Sequence, residues 1–163
     1  MYCDCTYCVT ILLFLTLLTI KKTYTMEKLT KSYLKELTYE IIGAAIEVHK
    51  EMGPGLLEKV YEVCIKHELE LRGLNVKSQQ TIPVIYKGVV LDAELRYDLL
   101  VEDCILVELK AVLQMIPIFE AQAMSYAKLL QVPKSMLINF TCTNIFKEGQ
   151  KTFVNDLYSL LPD

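Results

Sequence analysis

Between Glu94 and Lys110 the chain carries an alternation of apolar and charged residues that admits essentially one strand pairing. Two strand-like runs, 94–101 and 104–110, surround a turn at Glu102-Asp103-Cys104. With the loop centred on Asp103, Asp98 falls opposite Glu108 and Arg96 opposite Lys110, and directly opposed residues share a sheet face. One face then carries Leu95, Tyr97, Leu99, Val101, Ile105, Val107 and Leu109. The other carries Arg96, Asp98, Leu100, Leu106, Glu108 and Lys110. A slip of one residue would mix the two sets, so the apolar pattern selects the register.

Two carboxylates and two cations gathered on one patch suit metal-assisted chemistry. Asp98 and Glu108 offer hard oxygen ligands of the kind that Mg²⁺ and Mn²⁺ prefer. Lys110, two residues beyond Glu108, emerges on the same face, where an ammonium can orient an attacking water or stabilise charge developing on a phosphate. The plainer alternative is a solvated strand face with cross-strand ion pairs, Asp98–Lys110 or Glu108–Arg96. Leu100 and Leu106 weigh against it, because apolar residues among the charges imply that something covers the patch.

The remaining chain supplies elements to build that cover. Apolar residues at Leu37, Ile41, Ala45, Val48 and Met52 recur at helical spacing over 36–52, with a start near Thr30 or Ser32. Gly53-Pro54-Gly55 breaks this helix, and a second is expected over 56–72, packing through Val60, Cys64, His67 and Leu71 and stopped by Gly73. Glu58 and Tyr61 share a different face of it, with Glu58 in the first turn, where a carboxylate suits the helix dipole. Strands are expected over 81–86, 89–101 and 105–110. A third helix runs 117–130 with Phe119, Ala123, Ala127 and Leu130 inward and Gln122 and Tyr126 on another face. A buried strand over 135–140 and an amphipathic helix over 146–161 complete the order α-α-βββ-α-β-α.

Charge limits the partners. Lys and Arg number 17 against 20 Asp and Glu, a net charge of −3, whereas a protein held to nucleic acid by phosphate neutralisation alone would be basic. The six cysteines include no second C-x-x-C to complete a four-ligand zinc site, so reduced thiols in a cytoplasmic protein are expected. Residues 9–20 form an apolar run, shorter than the roughly 20 residues a bilayer span needs. It lacks the positive start and small-residue cleavage site of a signal peptide. We therefore expect residues 1–25 to lie outside the fold, the domain to occupy 26–163 with translation from Met26, and no stable membrane association. A weak membrane anchor is the alternative.

Taken together, Gly55-x-x-Glu58-x-x-Tyr61 after Gly53-Pro54, Arg96-x-Asp98, Glu108-Leu109-Lys110-Ala111, Gln122-x-x-x-Tyr126 and Leu137-Ile138-Asn139-Phe140 resemble the GxxExxY protein family. That family is grouped with the PD-(D/E)XK nuclease superfamily, and the resemblance covers roughly residues 37–153. It implies a single-domain α/β fold with a restriction-endonuclease-like αβββαβ core, its mixed sheet flanked by helices. It implies Glu58, Asp98 and Glu108 as ligands of Mg²⁺ or Mn²⁺, with Lys110 as the catalytic lysine beside Asp98 and Glu108. Gln122 and Tyr126 resemble the QxxxY element of RecB-like nucleases, which gives them, with Arg96 and Tyr61, the role of substrate contacts. The implied activity is metal-dependent hydrolysis of DNA or RNA. The alternative is a non-catalytic nuclease-like module that binds a protein or nucleic-acid partner.

Overall fold

A computed structural model of the chain describes residues 29–91, 93 and 95–163. The expectations for residues 1–25, for Met26 and for the apolar run 9–20 lie outside the described residues. Among the described residues no helix is long and apolar enough to cross a membrane.

Helix α1 (Lys31–Met52) starts where Thr30 caps it, its Oγ1 accepting the Tyr33 N–H at 3.0 Å. Its buried stripe includes Leu37, Ile41, Ala45 and Val48, as the spacing predicts, while Met52 is exposed. Gly53 ends it at φ 67°, ψ 177°, a conformation essentially reserved for glycine. Helix α2 (Glu58–Leu71) buries Tyr61, Glu62, Ile65 and Leu69. This corrects the predicted face: Val60, His67 and Leu71 are exposed. Both rows have helical spacing. Once Tyr61 is assigned to a functional face, the pattern points to the wrong row.

The main sheet has the order β1-β4-β5-β6-β7. It comprises β1 (Val76–Ser78), β4 (Leu99–Val101), β5 (Ile105–Lys110), β6 (Lys134–Asn139) and β7 (Gln150–Val154). β5 and β6 are parallel, joined through helix α3 (Pro117–Leu130), and every other pairing is antiparallel. A separate hairpin joins β2 (Val84–Tyr86) to β3 (Val89–Leu91). α1 and α2 pack with Leu99, Val101, Ile105, Val107 and Leu109 on one face of the sheet. α3 packs through Ala127 with Leu100 and Leu106 on the other, which is the cover those leucines call for. The chain is thus a mixed α/β fold with a five-stranded mixed sheet between helices, of restriction-endonuclease-like type.

The predicted register holds: Leu99 pairs with Val107, Leu100 with Leu106 and Val101 with Ile105. Glu102 and Asp103 turn the hairpin with φ of 49° and 55°, the left-handed pair a tight two-strand turn requires.

Three expectations fail. The strand over 89–101 is broken, because the Asp98 carboxylate takes the Leu109 N–H that a continuing strand would bond through its main chain. Beyond that bend Arg96 pairs with Thr81 instead of facing Lys110, and Leu95 and Tyr97 pack with Leu100 and Leu106. The C-terminal helix over 146–161 is instead a π-helical turn (Ile145–Gly149), β7 and a short helix α4 (Asp156–Ser159). Thr152, Phe153 and Val154 favour extended backbone, and β6 offers them an otherwise open edge. β1, three residues long, left no periodicity to read.

Candidate active site

β5 is buried along its whole length, so the polar side chains at its end are buried too. Glu108 is 2% exposed and Lys110 8%. Glu108 Oε2 accepts from Gln122 Nε2 of α3 at 3.2 Å, while its Oε1 is buried without a hydrogen-bond partner. Burial, with the Asp98 charge adding and Lys110 opposing, pushes the Glu108 carboxyl up to about 8. Lys110 Nζ donates to the Leu109 carbonyl at 2.7 Å, lies 3.9 Å from Glu58 Oε1 and sits 5.5 Å from the centre of the Phe119 ring.

Asp98 is fixed at both oxygens. Its Oδ2 accepts the Leu109 N–H at 2.8 Å and its Oδ1 accepts from Gln79 Nε2 at 3.3 Å. Burial raises its carboxyl, against the Leu109 hydrogen bond and the Lys110 charge. Glu58, at the start of α2, is raised by burial and by Asp98 and lowered by Lys110. Three carboxyl groups and one lysine therefore feel one another's charge. The cross-strand ion pairs Asp98–Lys110 and Glu108–Arg96 do not form; the partner of Lys110 is Glu58.

Tyr61 sets where Glu58 stands. Its hydroxyl donates to the Gly53 carbonyl at 2.6 Å and accepts the Leu56 N–H at 3.1 Å. Its ring stacks on Phe140 at 4.3 Å with 4° between the planes. The Phe140 N–H in turn bonds the Lys110 carbonyl at 2.8 Å. One tyrosine thus ties the Gly53-Pro54-Gly55 turn, and with it Glu58, to the strand ends at the site. At 0% exposure it cannot touch substrate, which corrects its expected role. Arg96 is exposed and Tyr126, half-buried, packs against the Leu100–Leu106 cluster; of the expected substrate contacts, Gln122 alone touches a site carboxylate.

Three further residues support the site: Asn139, which the sequence places in a motif without a role, and Glu62 and Gln79, which it leaves unmarked. Asn139 clamps the loop after Lys110, accepting the Val112 N–H at 3.1 Å and donating to the Val112 carbonyl at 2.8 Å. Glu62 is 6% exposed and Gln79 bridges it to Asp98. For Glu62 the signal was its place one turn after Glu58. Gln79 follows a strand too short to be recognised, so it had none.

Among the described residues no three histidine, cysteine, aspartate or glutamate side chains form a ready-made metal cage. The expected Glu58–Asp98–Glu108 ligand set is therefore not closed, Glu58 being turned to Lys110. The donor chemistry nevertheless fits a hard divalent cation. The oxygens are carboxylate, one is buried and unpartnered, and burial raises the proton affinity of both Glu108 and Asp98. Cys64, Cys104 and Cys142 carry free thiols.

A family model described as the PD-(D/E)XK nuclease superfamily matches residues 35–153. Comparison with curated proteins and with solved structures finds no match.

Proposed function

The chain belongs to the PD-(D/E)XK nuclease superfamily, and from that premise we propose that it hydrolyses phosphodiester bonds of nucleic acid with the help of Mg²⁺ or Mn²⁺. The observation that carries this reading is Glu108: a carboxylate with one buried, unpartnered oxygen, two residues from a buried lysine. Within the superfamily we assign the chain to the GxxExxY group, on Gly55, Glu58 and Tyr61 and the motifs that follow them.

Asp98 and Glu108 would hold the cation, with Glu58 completing the acidic set. Bound there, it would supply Lewis-acid polarisation of a phosphate oxygen and an acidified water. The chain's own groups do the rest. The Leu109 N–H and the Gln79 amide hold the Asp98 carboxylate in place, and Gln122 holds that of Glu108. Lys110, steered by the Leu109 carbonyl and Glu58, presents a fixed positive charge to a phosphate that becomes more negative as the reaction proceeds. Arg96, exposed, is free to contact a phosphate, and Gln122 and Tyr126 line the α3 side. With a net charge of −3, affinity depends on these few contacts rather than on a basic surface. A cytoplasmic location accords with the free thiols.

One observation favours the second reading, a non-catalytic nuclease-like binding module: the metal cage is not closed. Incubation of purified protein with single- and double-stranded DNA and RNA, with Mg²⁺ or Mn²⁺, separates the two. Cleavage that vanishes with EDTA and in Lys110→Ala is expected. Binding without cleavage under every condition would leave the module.

A further inference from the structure

A buried glutamate is costly to keep unless its oxygens are bonded, and Glu62 has no share in the chemistry described so far. Both of its oxygens are nevertheless satisfied: Oε1 accepts from Lys59 Nζ at 2.7 Å and Oε2 from Gln79 Nε2 at 2.8 Å. The same Gln79 nitrogen donates its second hydrogen to Asp98 Oδ1 at 3.3 Å. A side-chain amide nitrogen has two hydrogens, and here each goes to a different carboxylate.

The orientation of this amide is forced. Flipped, it would aim its oxygen at two carboxylate oxygens, so repulsion from both holds the nitrogen inward. The backbone agrees. Gln79 sits at φ 52°, in the left-handed region that residues other than glycine rarely occupy, and its N–H donates to the Asp98 carbonyl at 3.2 Å. Main chain and side chain of one residue thus grip the main chain and side chain of Asp98. Glu62 fixes the far side of the grip from the helix that also carries Glu58.

We propose that Gln79, anchored by Glu62, is a positioning residue that sets the orientation of the Asp98 carboxylate. The inference rests on the nuclease reading for its purpose, while the positioning can be observed without it. With Oδ2 on the Leu109 N–H and Oδ1 on the Gln79 amide, the carboxylate plane is pinned at two points, and each oxygen keeps a lone pair for a cation. Loss of a partner that orients a metal ligand in this way typically costs about 10–100-fold in metal affinity.

The test uses the full chain and three variants, Gln79→Asn, Glu62→Leu and Glu62→Gln. Asparagine is more at home than glutamine at positive φ, but its amide is too short to reach both carboxylates, so the backbone is kept and the bridge is lost. Two quantities are read: the Kd for Mn²⁺ by calorimetry, and the Leu109 amide resonance, which reports the bond to Asp98 Oδ2 with no metal present. Gln79→Asn and Glu62→Leu are expected to weaken Mn²⁺ binding about tenfold or more and to shift the Leu109 resonance. Glu62→Gln, which keeps an acceptor for the Gln79 amide, restores most of both. Unchanged Mn²⁺ affinity and an unmoved Leu109 resonance in folded Gln79→Asn would overturn the proposal. Should the unaltered protein bind no Mn²⁺, the nuclease reading fails, and the Leu109 resonance alone decides whether Gln79 positions Asp98.

Discussion

The carboxyl of Glu108 makes a quantitative demand on stability. The folded protein keeps its proton up to about pH 8, whereas an unfolded glutamate releases it near pH 4.3. Between those values the folded state binds more protons than the unfolded one, so stability must fall as pH rises through the window. Each pH unit removes up to about 1.4 kcal/mol, hence about 3 kcal/mol between roughly pH 5 and pH 7.5. For a chain of this length that corresponds to a fall of about 6–12 °C in Tm. Glu108→Gln replaces the buried carboxyl with a neutral group of the same shape that has no proton to lose. Its Tm should therefore decline less steeply with pH than that of the unaltered protein, and the gap between the two curves isolates Glu108 from Asp98 and Glu58, which titrate in both. The assay is thermal unfolding followed by circular dichroism in metal-free buffers. Parallel curves, or a steeper fall in the variant, would refute the claim that Glu108 is an uncompensated buried acid.

The other expectations follow from single contacts. Mn²⁺ at 100 times its Kd should raise stability by about 2.7 kcal/mol, read as a higher Tm that is lost in Asp98→Asn; no metal-dependent rise would count against the cation site. Tyr61→Phe removes the hydroxyl that serves Gly53 and Leu56, and should lower stability by about 1 kcal/mol in chemical denaturation, since it leaves two half-buried main-chain groups without their partner. Gln122→Leu takes the donor from Glu108 Oε2, which favours the protonated acid further, and should carry the fall of Tm on above about pH 8, where that of the unaltered protein levels off. A pH profile equal to that of the unaltered protein would show that Gln122 does not serve Glu108.

What the sequence made legible, and what it hid, follows from the range over which each signal acts. The β4–β5 register was readable because seven apolar positions alternate around one turn, and any slip would expose them. Glu108 and Lys110 were placed by that register alone. The pattern failed at Asp98, because a side chain there replaces a main-chain partner and ends the strand, an event that alternation cannot encode. It failed at Tyr61 for the opposite reason. A polar-tipped aromatic beside a site carboxylate reads as a contact for substrate, yet its ring is core and its hydroxyl is spent on two backbone groups. Glu62 and Gln79 meet Asp98 only through tertiary structure, 17 and 19 positions apart for the two Gln79 bonds, and the three-residue strand before Gln79 is too short to leave a local sign. Local periodicity therefore locates the residues that a strand presents, while the residues that orient them arrive from segments with no periodicity. A buried acid such as Glu62, set in a helix beside a site carboxylate, is the feature by which such residues can be sought in other chains.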